Sequence, residues 1–424
     1  MKTTPPPTLP TPNPSTANSI AQVPLGGGAS LTWVAEPTRP TFRVLVRVTP
    51  RRGALSTGDQ ANLHLLMGLL RENLEGATPL KEQGLHDLPI RVQAVWDGVS
   101  LVVHLEGTTQ HAELSLVRLL DGIVRPVLSA EALERLRGKL RIMPTPALER
   151  LAADLAVRAG SQCLSALPLP TEQQLDQLRL QDLQTLHHRV LGPSSVEVFG
   201  LGDLDAKPLS DLLTRALSAW GADAPAAPTV PAAMEVCGRL WVCGDTSEIP
   251  EIRLGFCLRG GQGLNPAATH LLPFLFRRLG QSSALLHEDT LDPSTGYCRL
   301  VTKVPQGVAP HAHLEVLEAW LKELAHRPLP EVEIQTAKRA WQAWRRTLPL
   351  RPAERLAWLA SGLYPDEAMA ARVEALTVAD VTAAWVSRLS PQGRQTLVLG
   401  GEAGALQKRT GAGHPAPELI QVAR

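Results

Sequence analysis

Two stretches decide the reading of this chain: LRLQDLQTLHHRVLGP, from Leu178 to Pro193, and LTVADVTAAWVSRLSP, from Leu376 to Pro391. They align without a gap, Asp182 against Asp380 and Pro193 against Pro391, with their starts 198 positions apart (178 to 376). Each runs into a strand-like segment that closes on glycine, VEVFGLG at Gly202 and QTLVLG at Gly400, again 198 apart. Upstream, HAELSLVRLLDGIVRP (His111 to Pro126) pairs with HLEVLEAWLKELAHRP (His313 to Pro328), and PALERLAADLA from Pro146 pairs with PAERLAWLASG from Pro352. Four matches in one order, at a nearly constant offset, mean that one structural unit occurs twice.

Within the first unit, Leu63, Leu66, Met67, Leu70 and Leu74 recur at helical spacing and define one apolar stripe, with Thr57 and Gln60 placed as a capping box before it. IRVQAVW and VSLVVHLE flank Asp97-Gly98, a strong hairpin signal. Strands are expected from Ser30 to Ala35 and Phe42 to Thr49, and helices from about His111 and Ala130. Strands interleaved with helices in this order predict an α+β fold of two similar halves, each a mainly antiparallel sheet backed by helices.

Composition sets the outer limits. A chain of 424 residues is too long for one ordinary core at ~150 residues per domain. Its 44% hydrophobic and 20% charged residues, with mean hydropathy of −0.03, are those of a globular protein. A formal net charge of +1 provides no field to recruit nucleic acid or an anionic membrane. No run of about 20 apolar residues predicts a membrane span. Five cysteines, Cys163, Cys237, Cys243, Cys257 and Cys298, form no C-x-x-C pair and point to reduced thiols and a cytoplasmic setting. The Pro-rich residues 1–23 read as a disordered tail, residues 24–221 as the first half and 222–238 as an Ala/Pro linker. Residues 239–404 read as the second half and 405–424 as a C-terminal tail.

This order of elements, twice over, resembles the insulinase-like (pitrilysin, or mitochondrial processing peptidase) family of zinc metallopeptidases. The resemblance covers roughly Leu25 to Gly404 and rests on the apolar helix NLHLLMGLLRENLEGAT and on LGQSSALLHEDTLDPSTGYCRLV. In the latter, Gly280, Ser282, Ser283, Leu285 and Tyr297 fall at family positions. The family's helix carries H-x-x-E-H, two histidines one turn apart that hold zinc and a glutamate that activates water. Here Met67, Leu70 and Arg71 stand at those three places, so none of them is expected to be catalytic. A register starting at His64 places Met67 and Gly68 where Glu and His are needed. The family's third ligand falls on Ile142 or Met143, an apolar replacement expected where a buried carboxylate has lost its metal.

The resemblance therefore implies a non-catalytic subunit with no metal and no cofactor of its own. It would pair as a heterodimer with a zinc-bearing sibling and help enclose a peptide substrate, with a homodimer left open. Peptide contact is assigned by resemblance to Tyr297, with Ser282 and Ser283. The family's arginine, seven residues before that tyrosine, is Thr290 here, and Arg299 is the substitute two residues further along the strand. An assembly scaffold of the same fold with no part in proteolysis is the alternative.

Other constellations carry less. His187-His188 is expected on a solvated helix surface, and His311 and His313 at a helix start after Pro310, in a capping role. Cys237 and Cys243 read as core thiols, and Gly260-Gly261-x-Gly263 as a turn without the completion a phosphate loop needs. Trp341 to Arg346 reads as interhelix packing, and no G-x-S-x-G nucleophile elbow occurs.

Overall fold

The computed structural model describes residues 20–37, 40–75, 90–161, 167–218, 220, 238–243, 250–257, 264–280, 288–292, 297–400 and 417–420. The described residues form two six-stranded sheets. The first contains β1 (Ile20–Gly26), β2 (Ala29–Ala35), β3 (Thr41–Val48), β4 (Ile90–Trp96), β5 (Leu101–Thr108) and β6 (Val196–Gly202), in the order β1-β2-β6-β3-β5-β4. The second contains β7 (Arg239–Cys243), β8 (Glu251–Cys257), β9 (Glu288–Asp292), β10 (Tyr297–Lys303), β11 (Gln395–Leu399) and β12 (Pro417–Ile420), in the order β12-β7-β11-β8-β10-β9. Position by position the two orders match: β2 with β7, β6 with β11, β3 with β8, and the β4–β5 hairpin with β9–β10. Most pairings are antiparallel; β2–β6, β7–β11 and β7–β12 are parallel.

Both outer edges correct the expected domain limits. β1 begins at Ile20, inside the stretch read as tail, because the turn at Gly26–Gly28, all at positive φ, folds it back onto β2. β12 lies inside the expected C-terminal tail and pairs in parallel with β7, filling in the second half the edge that β1 fills in the first. The linker expected at 222–238 lies, except for Gly238, outside the described residues.

The helices of the first half are α1 (Gln60–Glu75), α2 (Ala112–Val124), α3 (Ala130–Ile142), α4 (Thr145–Ser161), α5 (Glu172–Gln177), α6 (Leu180–Val190) and α7 (Ala206–Ser218). Those of the second are α8 (Pro266–Gly280), α9 (Pro310–His326), α10 (Glu331–Thr347), α11 (Pro352–Ser361), α12 (Glu367–Glu374) and α13 (Val378–Leu389). The duplication is visible at single-residue level in α6 and α13. Asp182 accepts from the backbone N–H of Arg179 at 2.8 Å, and Asp380 from that of Thr377 at 2.9 Å, so each closes the first turn of its helix in the same way.

Each sheet presents one face to its own helices. Phe42, Val44, Val46 and Val48 of β3 share one buried core with Leu63, Leu66, Met67 and Leu70 of α1, while Ile252, Leu254 and Phe256 of β8 share the other with Leu271, Leu272 and Leu275 of α8. The opposite faces are covered across the molecule. Ala153 and Ala156 of α4 pack on Trp241, Cys243, Leu397 and Leu399 of the second sheet. Leu356, Leu359 and Ala360 of α11 pack on Val34, Leu45, Phe199 and Leu201 of the first. Each half thus lends the other a helix, and these are the helices of the Pro146 and Pro352 repeat. Ion pairs reinforce both contacts: Arg253 of β8 with Asp154 of α4, and Arg355 of α11 with Glu36 beyond β2.

The β4–β5 hairpin turns where expected, through Asp97 to Ser100. Asp97 Oδ1 accepts from the N–H groups of Val99 and Ser100 at 2.8 and 2.7 Å. Gly98 sits at φ 87°, and a Cβ there would lie 2.8 Å from Leu155 of α4. The backbone conformation therefore favours glycine, and any larger residue would also have to displace the Leu155 side chain. The cap before α1 differs from the one expected at Thr57 and Gln60: Asp59 Oδ2 accepts from the Ser56 N–H at 3.1 Å, ahead of a short 3₁₀ turn that leads into the helix. Among the described residues no helix is long and apolar enough to cross a membrane.

Candidate functional site

The metal-motif positions lie on α1, whose apolar stripe is pressed against the first sheet. Met67 and Leu70 are both 0% exposed and belong to the core. Arg71 lies on the outer side of the helix, its Nε 3.6 Å from Glu75 Oε2. The helix thus keeps its place and gives the motif positions to packing and to a surface ion pair.

His64, the one imidazole on this helix, is fully committed. Its Nδ1 accepts from the Trp96 indole N–H at 2.9 Å, and its Nε2 lies 3.1 Å from the carbonyl of Leu167. An accepting Nδ1 and a carbonyl at Nε2 define the neutral tautomer with its proton on Nε2. Burial, with a smaller push from the nearby Arg52 guanidinium, lowers its pKa to about 4 despite the opposing pull of the Leu167 carbonyl. A zinc ligand needs a lone pair that is not already spent.

The remaining donors fit zinc no better. Met67 supplies a thioether, Leu70 and Ile142 supply none, and among the described residues no group of three or more His, Cys, Asp or Glu could hold a metal ion. Ile142 ends α3 and is 82% exposed, which corrects the expectation that an apolar residue there replaces a buried carboxylate. Water reaches that position, so burial of charge would not have excluded a glutamate.

A second histidine mirrors the first. The sequence HLLMGLLR in α1, from His64, corresponds to HLLPFLFR in α8, from His270, a repeat at 206 positions (64 to 270) that the sequence reading missed although its letters show it. His270 is 2% exposed and stacks on Trp358 at 5.5 Å, with Trp341 edge-on at 6.5 Å. Among the described residues neither of its nitrogens has a hydrogen-bond partner, and burial, with Arg372 nearby, lowers its pKa to about 4.

The positions assigned to peptide contact fall on the second sheet. Tyr297 opens β10, opposite Cys257 of β8 and Asp292 of the edge strand β9. Arg299 sits two residues on, half-buried, and is paired in the ladder with Thr290 itself. The residue read as a substitute therefore stands directly across the strand pair from the position it would replace, within side-chain reach. Leu300 and Cys298 turn into the helix-covered core, so Arg299 lies on the opposite face, alongside Arg253. Ser282, Ser283 and Leu285 lie outside the described residues, as do Cys163, Cys237 and the Gly260–Gly263 turn.

Two of the weaker readings are corrected. His187 is buried, its Nε2 2.9 Å from the carbonyl of Ile123, while His188 faces outward. Burial lowers the pKa of His187 against the opposing carbonyl. His311 and His313 lie within the first turns of α9, which begins at Pro310, and His313 Nε2 meets Thr302 Oγ1 of β10 at 3.0 Å. Trp341 packs as expected, in the second core, and the Trp344 indole donates to Glu354 of α11 at 2.7 Å.

Two sheets of matching strand order, each backed by its own helices, give this chain the fold of solved M16-like, or insulinase-like, peptidase structures. Among solved structures the chain is similar to a protease from Helicobacter pylori, at 14% identity and a TM-score of 0.67, over 90% of this chain and 99% of that one. It is also similar to the inactive domain of an M16 peptidase from Pseudomonas fluorescens (16%, 0.64, covering 95% and 100%). The first half of the periplasmic protease PqqL from Escherichia coli matches at 15% and 0.62, over 92% of this chain and 93% of that one; within intact PqqL the match spans 48% of the chain. Identities this low carry the fold and nothing finer. No family model matches the chain, and no curated protein matches it significantly.

Proposed function

We propose that this chain is a non-catalytic subunit of M16 fold that pairs with a zinc-bearing sibling and helps enclose an extended peptide while the sibling cleaves it. The observation that carries this reading is the state of α1. Met67 and Leu70 are core residues, and His64 has both ring nitrogens engaged. Neither nucleophile activation nor carbonyl polarisation by a metal can originate from such a helix. The similarity to an M16 domain described as inactive supports the same division of labour.

The subunit's contribution is then binding and orientation. An extended peptide held against a wall loses freedom before the chemical step and meets less water during it. Arg299, across the ladder from Thr290 and two residues from Tyr297, supplies a cation beside the edge strand for a peptide backbone carbonyl. Zinc is the sibling's cofactor, and this chain binds none.

Elemental analysis and affinity capture test the proposal together. The purified chain should hold no stoichiometric zinc and hydrolyse no peptide alone. Capture from its native cells should recover a chain bearing H-x-x-E-H, and adding this chain should raise that sibling's kcat/KM. One zinc per chain, lost together with activity, would overturn the reading; capture of non-peptidase partners alone would replace it with the assembly scaffold.

A further inference from the structure

Ile20 opens the edge strand β1 and packs in the cluster that α11 makes with the first sheet. Tyr364, three residues beyond α11, packs in that same cluster and also against the second core. The point at which residues 1–19 join the fold therefore lies beside a half-buried tyrosine of the other half. Residues 1–19 themselves lie outside the described residues.

Tyr364 belongs to an aromatic surface. Phe274 of α8, Trp344 of α10 and Leu363 are half-buried beside it on the second core, and the Phe274 and Trp344 rings are 5.8 Å apart. Arg345 Nε donates to the Pro365 carbonyl at 2.9 Å, which ties the segment after α11 to the end of α10. The Trp344 indole is held by its bond to Glu354. The Tyr364 oxygen accepts from Arg355 Nε at 3.1 Å, and among the described residues no acceptor takes its hydroxyl proton. Aromatic faces with a hydroxyl donor suit a polyproline II segment, whose prolines pack on the rings and whose backbone carbonyls have no internal partner.

The chain carries such a segment. PPPTLPTPNP, from Pro5 to Pro14, holds six prolines in ten residues. At three residues per turn, Pro6, Leu9 and Pro12 share one edge of a polyproline II helix, and Pro7 and Pro10 share another. Proline's fixed φ lowers the entropy lost on docking. Pro14 stands six positions before Ile20, a reach of roughly 19 Å at ~3.1 Å per residue, and Ile20 already shares a cluster with Tyr364.

We propose that residues 5–14 dock as a polyproline II helix on the Phe274, Trp344, Leu363 and Tyr364 surface of the same chain. The segment straps the start of the first half to the second half, where α11 crosses the first sheet. It covers the aromatic surface and adds a link between the halves beyond the two ion pairs. This strap is independent of any part the chain plays in proteolysis.

The test uses the full chain as wild type, as Tyr364→Phe, and as one variant combining Pro5→Ser, Pro6→Ser, Pro7→Ser, Pro10→Ser, Pro12→Ser and Pro14→Ser. Circular dichroism checks folding. Hydroxyl-radical footprinting reads oxidation at residue 364 and at Trp344, with the fully buried Trp385 as internal reference. In the proline variant both sites should react about threefold faster than in wild type, since a segment docked about two-thirds of the time leaves about one-third of the reactivity. Tyr364→Phe, which removes only the hydroxyl, should raise reactivity at Trp344 by a smaller factor. Unchanged reactivity in the proline variant overturns the strap, and an unchanged Trp344 in Tyr364→Phe overturns the role given to the hydroxyl. Wild-type protection should persist on dilution from about 100 μM to about 1 μM, because a tethered segment acts at an effective concentration of ~1 mM whatever the protein concentration. Protection lost on dilution overturns the chain's own segment as the occupant in favour of a second copy.

Discussion

Acid should destabilise this protein through two buried histidines, and the two should respond differently to removal. His64 and His270 both have folded pKa values of about 4, against 6.5 for an ordinary imidazole. Between those values the unfolded chain binds protons that the folded chain refuses, so stability is full above about pH 6.5 and declines as the pH falls toward 4. From pH 7 to pH 5 each group should remove about 2 kcal/mol, and the pair about 4 kcal/mol, a large share of the 5–15 kcal/mol of a typical domain. Because other groups titrate in the same range, the quantity to read is the difference between wild type and variant in urea unfolding at the two pH values. His270→Phe replaces a ring whose nitrogens have no partner, so at pH 7 it should cost less than about 1 kcal/mol, and it should abolish about 2 kcal/mol of the acid loss. His64→Phe should abolish a similar share of the acid loss but cost about 1–3 kcal/mol at pH 7, since it orphans the Trp96 indole and the Leu167 carbonyl. An unaltered pH dependence in His270→Phe would refute the reasoning from buried, uncharged imidazole.

Three further outcomes follow from the same geometry. Arg355→Met leaves Glu36 without its partner at the contact between the halves and should lower stability by about 3–5 kcal/mol, as read by chemical denaturation. Asp182→Ala and Asp380→Ala each remove the matched helix-start contact and should each cost about 0.5–2 kcal/mol, with the larger loss at Asp380, which also accepts from the Thr377 hydroxyl at 2.6 Å; no loss at either would remove that aspartate from the helix start. In the presence of a catalytic sibling, Tyr297→Ala should lower kcat/KM by about tenfold to a hundredfold, with Tyr297→Phe isolating the hydroxyl; variants that assemble normally and turn over peptide at the wild-type rate would remove Tyr297 from the substrate surface.

The duplicated architecture was legible because its marks are local. Asp182 and Asp380 close helix turns within three residues of their partners, and Asp97 shapes the hairpin turn through its own neighbours. The burial of His187 was legible too, although it was misread. Leu183, Leu186, His187 and Val190 recur at i, i+3, i+4 and i+7, which puts that histidine on the buried stripe of α6. The Glu75 contact with Ala94 spans 19 positions and crosses from a helix end to a strand edge, so no periodicity announces it. The crossing of α4 and α11 was hidden for a related reason. A repeat shows that two helices are equivalent but carries no sign of which sheet each one covers, since that depends on the faces left bare by β2, β6, β7 and β11.

That crossing gives a physical reason why the fold does not depend on which residues stand at the motif positions of α1. Without α4, the apolar face formed by Trp241, Leu397 and Leu399 would be open to water, although all three belong to the second half. Removing α11 would expose Val34, Leu45 and Leu201 of the first sheet in the same way. Each helix also joins its neighbour by an ion pair, Asp154 with Arg253 and Arg355 with Glu36. A substitution that empties the zinc positions on α1 changes none of these contacts, because α1 packs on the other face of its sheet. Chemistry and architecture therefore reside on opposite sides of the first sheet. Residues at the motif positions of α1 can vary without disturbing the helices that cover the other faces of both sheets.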